Sequence, residues 1–407
     1  MNQNPNGFQN EKHQLIEIGV IIAGPLDDVD RRASAKAIEM TREKLREFFP
    51  DFHFEITAVG RPELATEGKI PPSVLLQRAV ENRDAKHWDF SFVLTAADLS
   101  GMYAPYCFAA LSRPFDAAIF SLSLIDPIAL DAKSGEENRI DRIAKRLMQL
   151  MLHAVGHLTG LSPSSEPREL MYHPASASEI DSMEHFSAEQ LQRQRQSLAE
   201  IADQRLEESS RTLGNYWLFA SRAIWINRRE IVQAIWGARP WEFPRRLSRL
   251  TLASVSTVAV LLMTAEAWEL GLSQPWHRVL ALIIVSIVIT TAYVVTRQQL
   301  LLRRNRQHSE QTVMTSMSAI GIVLVGMLVT WIGLVAIGLS FSWMLFEDSL
   351  ISGWAGSTEI EPEAVGWTTY LQMSGFCASV GLLIGALGAS FESQNYFRHV
   401  IFVDEEI

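Results

Sequence analysis

Two histidines four positions apart are the first residues in this sequence that could carry chemistry. His153 and His157 lie in the stretch MLHAVGHLTGLSPSSEPRELMYH. Because residues four apart on a helix project from one face, both imidazoles could bind the same metal ion. His173 ends the stretch and is a candidate third ligand, with Glu166 and Glu169 as alternatives. A histidine pair alone is weak evidence, so the elements around it must decide whether it is a site.

The elements predicted around the histidines are those of an α/β domain. Gly160 is placed to end the helix that carries the pair. The alternation of strands and helices indicates helices layered on a sheet. Alternating or apolar runs predict strands, and helical periodicity predicts helices. The strands are expected at residues 14–22, 52–59, 88–95 and 116–123, and the helices at residues 27–49, 73–83 and 137–158.

The histidine stretch resembles the archaemetzincin family of zinc metallopeptidases, whose signature is HExxHxxGxxHCx4CxM. Counted from His153 without a gap, His157, Gly160 and Met171 stand at the second histidine, the glycine and the methionine of that signature. The segments VLTAADLSGMYAPYCFAALSRPFDAAIFSLSLI and EIDSMEHFS resemble the family's sequence on either side. The resemblance covers residues 14–195 and implies a metzincin-like fold with a mixed sheet, a methionine turn at Met171 and zinc as the cofactor.

The departures from the family are concentrated in its chemistry. Ala154 stands where the family has the glutamate that activates the metal-bound water, and Pro163 stands where it has the third zinc histidine. Ser164 and Glu169 replace the cysteines of the second zinc site. A catalytic zinc site uses three protein ligands and a base, and general base catalysis contributes about 10²–10⁴-fold. The resemblance therefore implies a pseudoprotease, with no catalytic residue at the base position.

The second half of the chain has the composition of a membrane protein. Ten of the 11 tryptophans follow residue 216, where long uncharged runs begin. Four segments are long enough to cross a bilayer: about 250–270, about 279–296, one between 310 and 347, and one between 363 and 392. Gly381 and Gly385 give the last segment a GxxxG spacing, which suits helix packing within the monomer as well as dimerisation. Glu266 and Glu269 are expected to be interfacial acids at the outer end of the first segment.

Charge predicts the orientation of these segments. Four arginines precede the first segment and four follow the second, whereas the connection after the third has five acids and no base. The positive-inside rule then places both termini in the cytoplasm. The N-terminal sequence lacks a basic region followed by an apolar run, so no cleavable signal peptide is predicted. The location expected is the inner cell membrane.

The composition also limits the partners. Two cysteines, Cys107 and Cys377, cannot build a disulfide framework or a four-cysteine metal site, which fits a reducing compartment. The net charge of −10 argues against nucleic-acid binding. The partners expected are the lipid bilayer and a peptide or protein of unknown identity.

These observations give a domain plan and three functional hypotheses. Residues 1–13 are a disordered N-terminus, 14–195 the archaemetzincin-like domain, 196–247 a helical linker, 248–392 the α-helical four-transmembrane region and 393–407 a cytoplasmic tail. The linker either lies at the lipid headgroups or packs on the soluble domain. The first hypothesis is a membrane-tethered pseudoprotease that binds without cutting. The second is an active zinc metallopeptidase with a substitute ligand and base, and the third is a channel or transporter component.

Overall fold

The computed structural model describes residues 14–64, 68–103, 106–127, 136–202, 216–301, 310–355, 366–391 and 393–407. The N-terminus predicted to be disordered lies outside these ranges. The chain divides into two compact units. Met1–Thr212 forms the first together with Glu405–Ile407, and Leu213–Asp404 forms the second.

The first unit is built on one six-stranded sheet. Its strands are β1 (Gln14–Ala23), β2 (Phe52–Arg61), β3 (Phe90–Thr95), β4 (Ala109–Ser112), β5 (Ala117–Ser121) and β6 (Glu405–Glu406). Their order across the sheet is β2-β1-β3-β5-β4-β6. Pairs among β1, β2, β3 and β5 are parallel, whereas β4 runs antiparallel to both β5 and β6. The predicted mixed sheet is confirmed, with two short strands added at one edge.

Helices cover this sheet, so the central strands are buried throughout. The helices are α1 (Asp28–Phe48), α2 (Pro72–Lys86), α3 (Glu136–Leu158), α4 (Ala177–Ile180) and α5 (Ala188–Ile201). Every residue of β3 and β5 is buried, as expected for strands with both faces covered. At the start of α1 the carboxylate of Asp27 accepts a hydrogen bond from the amide of Asp30, an N-cap of the preferred kind. The three predicted helices are therefore confirmed.

Gly160 ends α3 as the sequence predicts. Its φ of +93° lies in the left-handed region, which glycine enters without a Cβ penalty. The amide of Leu161 donates to the carbonyl of Gly156, and the amide of Gly160 donates to the carbonyl of His157, both at 3.0 Å. These two bonds form a Schellman motif, which satisfies carbonyls at the helix end. The second histidine thus sits in the last turn of a firmly terminated helix.

The second unit is entirely helical within the described residues. Its helices are α6 (Tyr216–Ile226), α7 (Arg228–Gly237), α8 (Phe243–Arg246), α9 (Ser248–Leu262), α10 (Ala265–Leu272), α11 (Trp276–Arg297), α12 (Glu310–Leu345), α13 (Asp348–Ala355), α14 (Trp367–Gly388) and α15 (Gln394–Phe402). Three of them, α11, α12 from Val313 onward and α14, are long and apolar enough to cross a membrane.

The first of the four predicted spans is not one continuous helix. In its place α9 and α10 meet at a bend of 89°, so the described residues give three candidate spans, or four if the bent pair counts as one. Thr264 is extended at the break. The buried indole of Trp268 donates to the carbonyl of Leu262 at 2.8 Å, which satisfies a carbonyl freed where α9 ends. Glu266 and Glu269 are exposed on α10.

The glycines of the last predicted span serve packing within this unit. A Cβ on Gly385 would lie 1.8 Å from the hydroxyl oxygen of Ser254 and 2.9 Å from the carbonyl oxygen of Leu250. A Cβ on Gly381 would lie 2.8 Å from a methyl carbon of Val258. All three facing residues belong to α9, so the GxxxG spacing lets α14 approach α9 closely. Of the two explanations for the spacing, helix packing within the monomer and dimerisation, these contacts are the first.

From residue 216 onward, the predicted linker consists of three short helices, α6, α7 and α8. Ile235 of α7 lies against Gly321, and Phe243 of α8 lies against Gly326, both on α12. Trp225 and Trp236 are about 70% exposed. These helices therefore pack on a long apolar helix of their own unit, and the position of the linker at the lipid headgroups stays a prediction.

Candidate functional site: a histidine cluster and the C-terminal strand

Helix α3 presents the predicted histidine pair on one buried face. His153 is fully buried and His157 is 6% exposed. Ala154 is also fully buried, and its methyl group can neither donate nor accept a proton. Gln149, one turn before His153 on the same face, is also buried, and its side-chain amide donates to the carbonyl of Met183. The two imidazoles therefore lie on a buried polar face of α3.

The segment after α3 fixes the orientation of His153. Ser164 donates from its amide to the carbonyl of Met171 at 2.8 Å, which closes the turn that carries the methionine. The carbonyl of Leu170 in this turn lies 2.7 Å from Nδ1 of His153. Because a carbonyl can only accept, Nδ1 carries the hydrogen and Nε2 points the other way. Gly156 makes room for this turn, since a Cβ there would lie 2.5 Å from the sulfur of Met171.

Two arginines hold α3 in place relative to the sheet and the following turn. Arg113, directly after β4, donates to the carbonyls of His157 and Leu161, each at 2.8 Å, and so binds the end of the helix. Arg146 forms a bidentate pair with Asp181 at 2.8 and 2.7 Å. Charge-assisted bidentate bonds fix direction as well as distance. The histidine face is thus positioned by side chains outside the cluster.

A carboxylate from the far end of the chain meets the histidines. Glu405 on β6 places Oε2 at 2.5 Å from Nδ1 of His157 and 3.5 Å from Nε2 of His153. Its Oε1 lies 3.4 Å from Nδ1 of His173, whose side chain is 50% exposed. Burial alone would raise the pKa of Glu405, but the facing charges of His157 and His153 and their hydrogen bonds outweigh it and hold that pKa well below its usual range. The group facing the imidazoles is therefore an ionised carboxylate.

Glu405 reaches the cluster because its segment pairs with the sheet edge. In register, Glu405 stands opposite Leu111 and Glu406 opposite Ala110 of β4. Ile407 continues the pairing, donating to the carbonyl of Ala109 at 2.8 Å and accepting from its amide at 3.0 Å. The unpaired groups of an edge strand are a template for an added strand. The backbone of β4 thus sets where the Glu405 side chain falls.

The residues do not fit a zinc ion in this arrangement. Ligand atoms about 2.1 Å from a tetrahedral zinc lie about 3.4 Å from each other. The 2.5 Å between Nδ1 of His157 and the Glu405 carboxylate is a hydrogen-bond distance and too short for two ligands of one ion. Across the described ranges, no group of three metal-binding side chains is arranged to hold a metal ion. As metal ligands, His153, His157 and His173 stay a prediction.

The alternative ligands named from the sequence lie elsewhere. Glu166 is exposed, as is Pro163. Glu169 accepts a hydrogen bond from the amide group of Gln190 at 3.0 Å. Asp98, in the segment before α3 that resembles the family, accepts a hydrogen bond from the hydroxyl of Ser123. The structure thus brings together the three histidines and adds Glu405, a residue to which no spacing or motif in the sequence points.

Solved structures that are similar to this chain at a low level include archaemetzincins and a zinc-dependent peptidase. Archaemetzincin from Methanopyrus kandleri is 16% identical with a TM-score of 0.37, covering 46% of this chain and 98% of that one. A zinc-dependent peptidase from Methanocorpusculum labreanum is 15% identical with a TM-score of 0.34, covering 44% and 99%. Archaemetzincin from Archaeoglobus fulgidus is 13% identical with a TM-score of 0.29, covering 44% and 99%. No family model and no curated protein matches the sequence. A likeness of this size transfers no activity, metal or substrate.

Proposed function

We propose that this protein is a membrane-tethered, non-catalytic relative of the archaemetzincins that binds an extended peptide segment. The proposal combines a helix with the zinc-peptidase spacing, a base position without a base, and a sheet edge that pairs with an added strand. It is a binding or regulatory role, not a hydrolytic one.

The non-catalytic part of the proposal rests on the buried methyl group of Ala154. Peptide hydrolysis by a metal-bound water needs a carboxylate beside the histidines to take the proton, and alanine supplies none. The carboxylate that does approach, Glu405, lies 2.5 Å from Nδ1 of His157 and comes from the paired strand, not from α3.

The paired edge supports the binding part of the proposal. β4 is only four residues long, and its outer side pairs with β6 through main-chain hydrogen bonds. Main-chain pairing of this kind accepts many sequences, while side-chain contacts beside it select among them. The histidine cluster next to β4 is such a selecting contact.

Three long apolar helices and the bent pair support membrane tethering. The sheet supports placing both termini on one side. The strands β1 to β5 and β6 share it, and strands of one sheet lie on the same side of a membrane. An even number of crossings must then separate β5 from β6. We therefore propose that the bent pair of α9 and α10 is a fourth crossing, with both termini in the cytoplasm of an inner-membrane protein.

An active zinc metallopeptidase is the second candidate. The observation that favours it is the set of donor types, because His153, His157 and Glu405 together match the two imidazoles and one carboxylate of known catalytic zinc sites. Their distances do not match, so this candidate requires Glu405 to move relative to His157.

Elemental analysis of the full chain purified in detergent separates the two candidates. We expect less than stoichiometric zinc and no chelator-sensitive cleavage of an unfolded protein substrate. The matched control is the doubly substituted chain Ala154→Glu, Pro163→His, which supplies both missing groups. One zinc per native chain, lost in His153→Ala and His157→Ala, together with cleavage blocked by a chelator, would establish the peptidase instead.

A further inference from the structure

The segment Glu405–Ile407 is held by contacts of four different kinds. The carboxylate of Glu405 meets three imidazoles, the closest at 2.5 Å. The carboxylate of Glu406 accepts hydrogen bonds from two consecutive amides, those of Met102 and Tyr103, at 2.7–3.0 Å. The main chain of Ile407 pairs with β4, and its side chain is 2% exposed within the core of the first unit. Each consecutive residue thus has its own complementary partner.

Strand pairing combined with side-chain contacts is also the way in which proteins bind extended peptides. Two carboxylates enter near-complete burial, with Glu405 at 8% and Glu406 at 4% exposure. Burying a charge costs several kcal/mol unless partners compensate it, so a segment without these carboxylates would leave imidazoles and amides unpaired. The site therefore discriminates by chemistry and not only by strand pairing.

We propose that the edge of β4, the amides of residues 102–103 and the histidine cluster form a binding site for an extended Glu-Glu-aliphatic peptide segment, and that Glu405–Ile407 is its resident ligand in this chain. This inference rests on the proposed peptide-binding function and names its ligand. The histidines bind the first glutamate, the amides of residues 102–103 bind the second, and the aliphatic side chain is buried in the core. The tail is then a tethered ligand that competes with any second polypeptide of the same chemistry.

The test uses the full chain in detergent and a fluorescently labelled octapeptide VIFVDEEI, which corresponds to residues 400–407. A chain lacking residues 405–407 is expected to bind this peptide. The intact chain is expected to bind it at least about 10-fold more weakly, because the tethered segment is present at a high effective concentration. Equal binding by the two chains would contradict a resident ligand.

A substitution cycle checks the assigned contacts. In the shortened chain, a peptide with glutamine in place of Glu405 should bind about 30-fold more weakly, as when one partner of a buried charge pair is truncated. His157→Asn should weaken binding of the native peptide by a similar factor. It should have little further effect on binding of the glutamine peptide. His53→Asn is the matched control: His53 is exposed on β2, at the opposite edge of the sheet from β6, so a change below about 3-fold is expected.

Hydrogen exchange tests whether the shortened chain still folds. Amides of α3 should exchange as slowly as in the intact chain. A second variant, Glu405→Gln with Glu406→Gln in the intact chain, should expose β4 to faster exchange, and excess native octapeptide should slow it again. If α3 stays protected while neither variant binds the octapeptide, or if the glutamine peptide binds equally well, the proposed site is wrong.

Mass spectrometry of the recovered octapeptide separates this inference from the proposed function. Binding with an intact peptide supports both. Binding followed by zinc-dependent cleavage would overturn the non-catalytic role and leave the recognition site standing. Absence of binding, together with absence of zinc and cleavage, would overturn the recognition site alone.

Discussion

Replacing Arg146 by methionine should destabilise the first unit far more than removing an exposed ion pair from the same helix. Arg146 is 4% exposed in its side chain and donates to both carboxylate oxygens of Asp181 and to the carbonyl of Ile125. Methionine keeps the volume of the stem and removes every donor. Asp181 and the carbonyl are then left without their cationic partner.

The expected magnitude follows from burial. Removing one partner of a fully buried pair costs about 3–5 kcal/mol. The side chain of Asp181 is 36% exposed, so water can solvate part of the orphaned carboxylate, and we expect about 2–3 kcal/mol. The matched control is Lys36→Met on α1, which breaks a 2.7 Å ion pair with Asp141 of α3. Both partners there are about half exposed, so a cost below about 1 kcal/mol is expected.

Hydrogen exchange of α3 in the full chain measures both costs. If exchange follows local opening, 2–3 kcal/mol corresponds to about 30- to 150-fold faster exchange, since each 1.4 kcal/mol is tenfold. A double-substitution cycle with Asp181→Asn should recover most of the effect as a coupling energy. Equal acceleration by the Arg146 and Lys36 variants would refute the reasoning, because the two pairs differ in burial and not in length.

Three further predictions concern the fold. Gly160→Ala should cost about 1–2 kcal/mol in thermal unfolding because of its left-handed backbone, whereas Gly60→Ala, which meets no neighbour, should not. Burial and neighbouring carboxylates raise the pKa of Asp30 to about 6, so the folded state binds this proton more tightly and stability falls as pH rises from about 4 to about 6. Asp30→Asn should therefore raise the free energy of unfolding at pH 8 by about 1–2 kcal/mol after allowing for exposure, and should leave it unchanged at pH 3.5, as measured by thermal unfolding. Gly385→Ala should cost about 1–3 kcal/mol in detergent unfolding, with Gly353→Ala near zero, because only the first meets a facing helix.

The sequence was sufficient for the elements with strong local signals. β1, α1, β2, α2, β3, β5 and α3 all lie within a few residues of their predicted bounds. Each has either a run of buried apolar residues or a helical period, and α3 also has the terminating Gly160. Local patterns of this kind are set by burial on one face and therefore survive in the sequence.

The sequence could not show the contacts made by distant segments. β6 contains two glutamates, which are unfavourable strand residues, and it forms only because β4 offers a free edge. His153 and Glu405 are 252 positions apart, so neither spacing nor periodicity connects them. The apolar run at residues 107–112 was the available signal for β4, but four strand residues are too few to separate from a loop.

The bend between α9 and α10 shows the same limit in the second unit. A hydropathy window sums residues and does not register that Thr264 is extended. The break is stabilised by Trp268, whose indole reaches the end of α9 and whose ring packs edge-on against Phe346 and Tyr370. These partners come from later parts of the chain, so the break depends on tertiary contacts.

The late position of β6 in the chain has a consequence for synthesis. The ribosome completes β4 about 290 residues before it reaches β6. At a translation rate of roughly 5–20 residues per second, the outer side of β4 waits on the order of 15–60 s for its neighbour. An unpaired strand margin is a nucleus for intermolecular pairing. Chains released early from the ribosome would therefore keep the outer edge of β4 unpaired. We expect these chains to be the species that aggregate during expression.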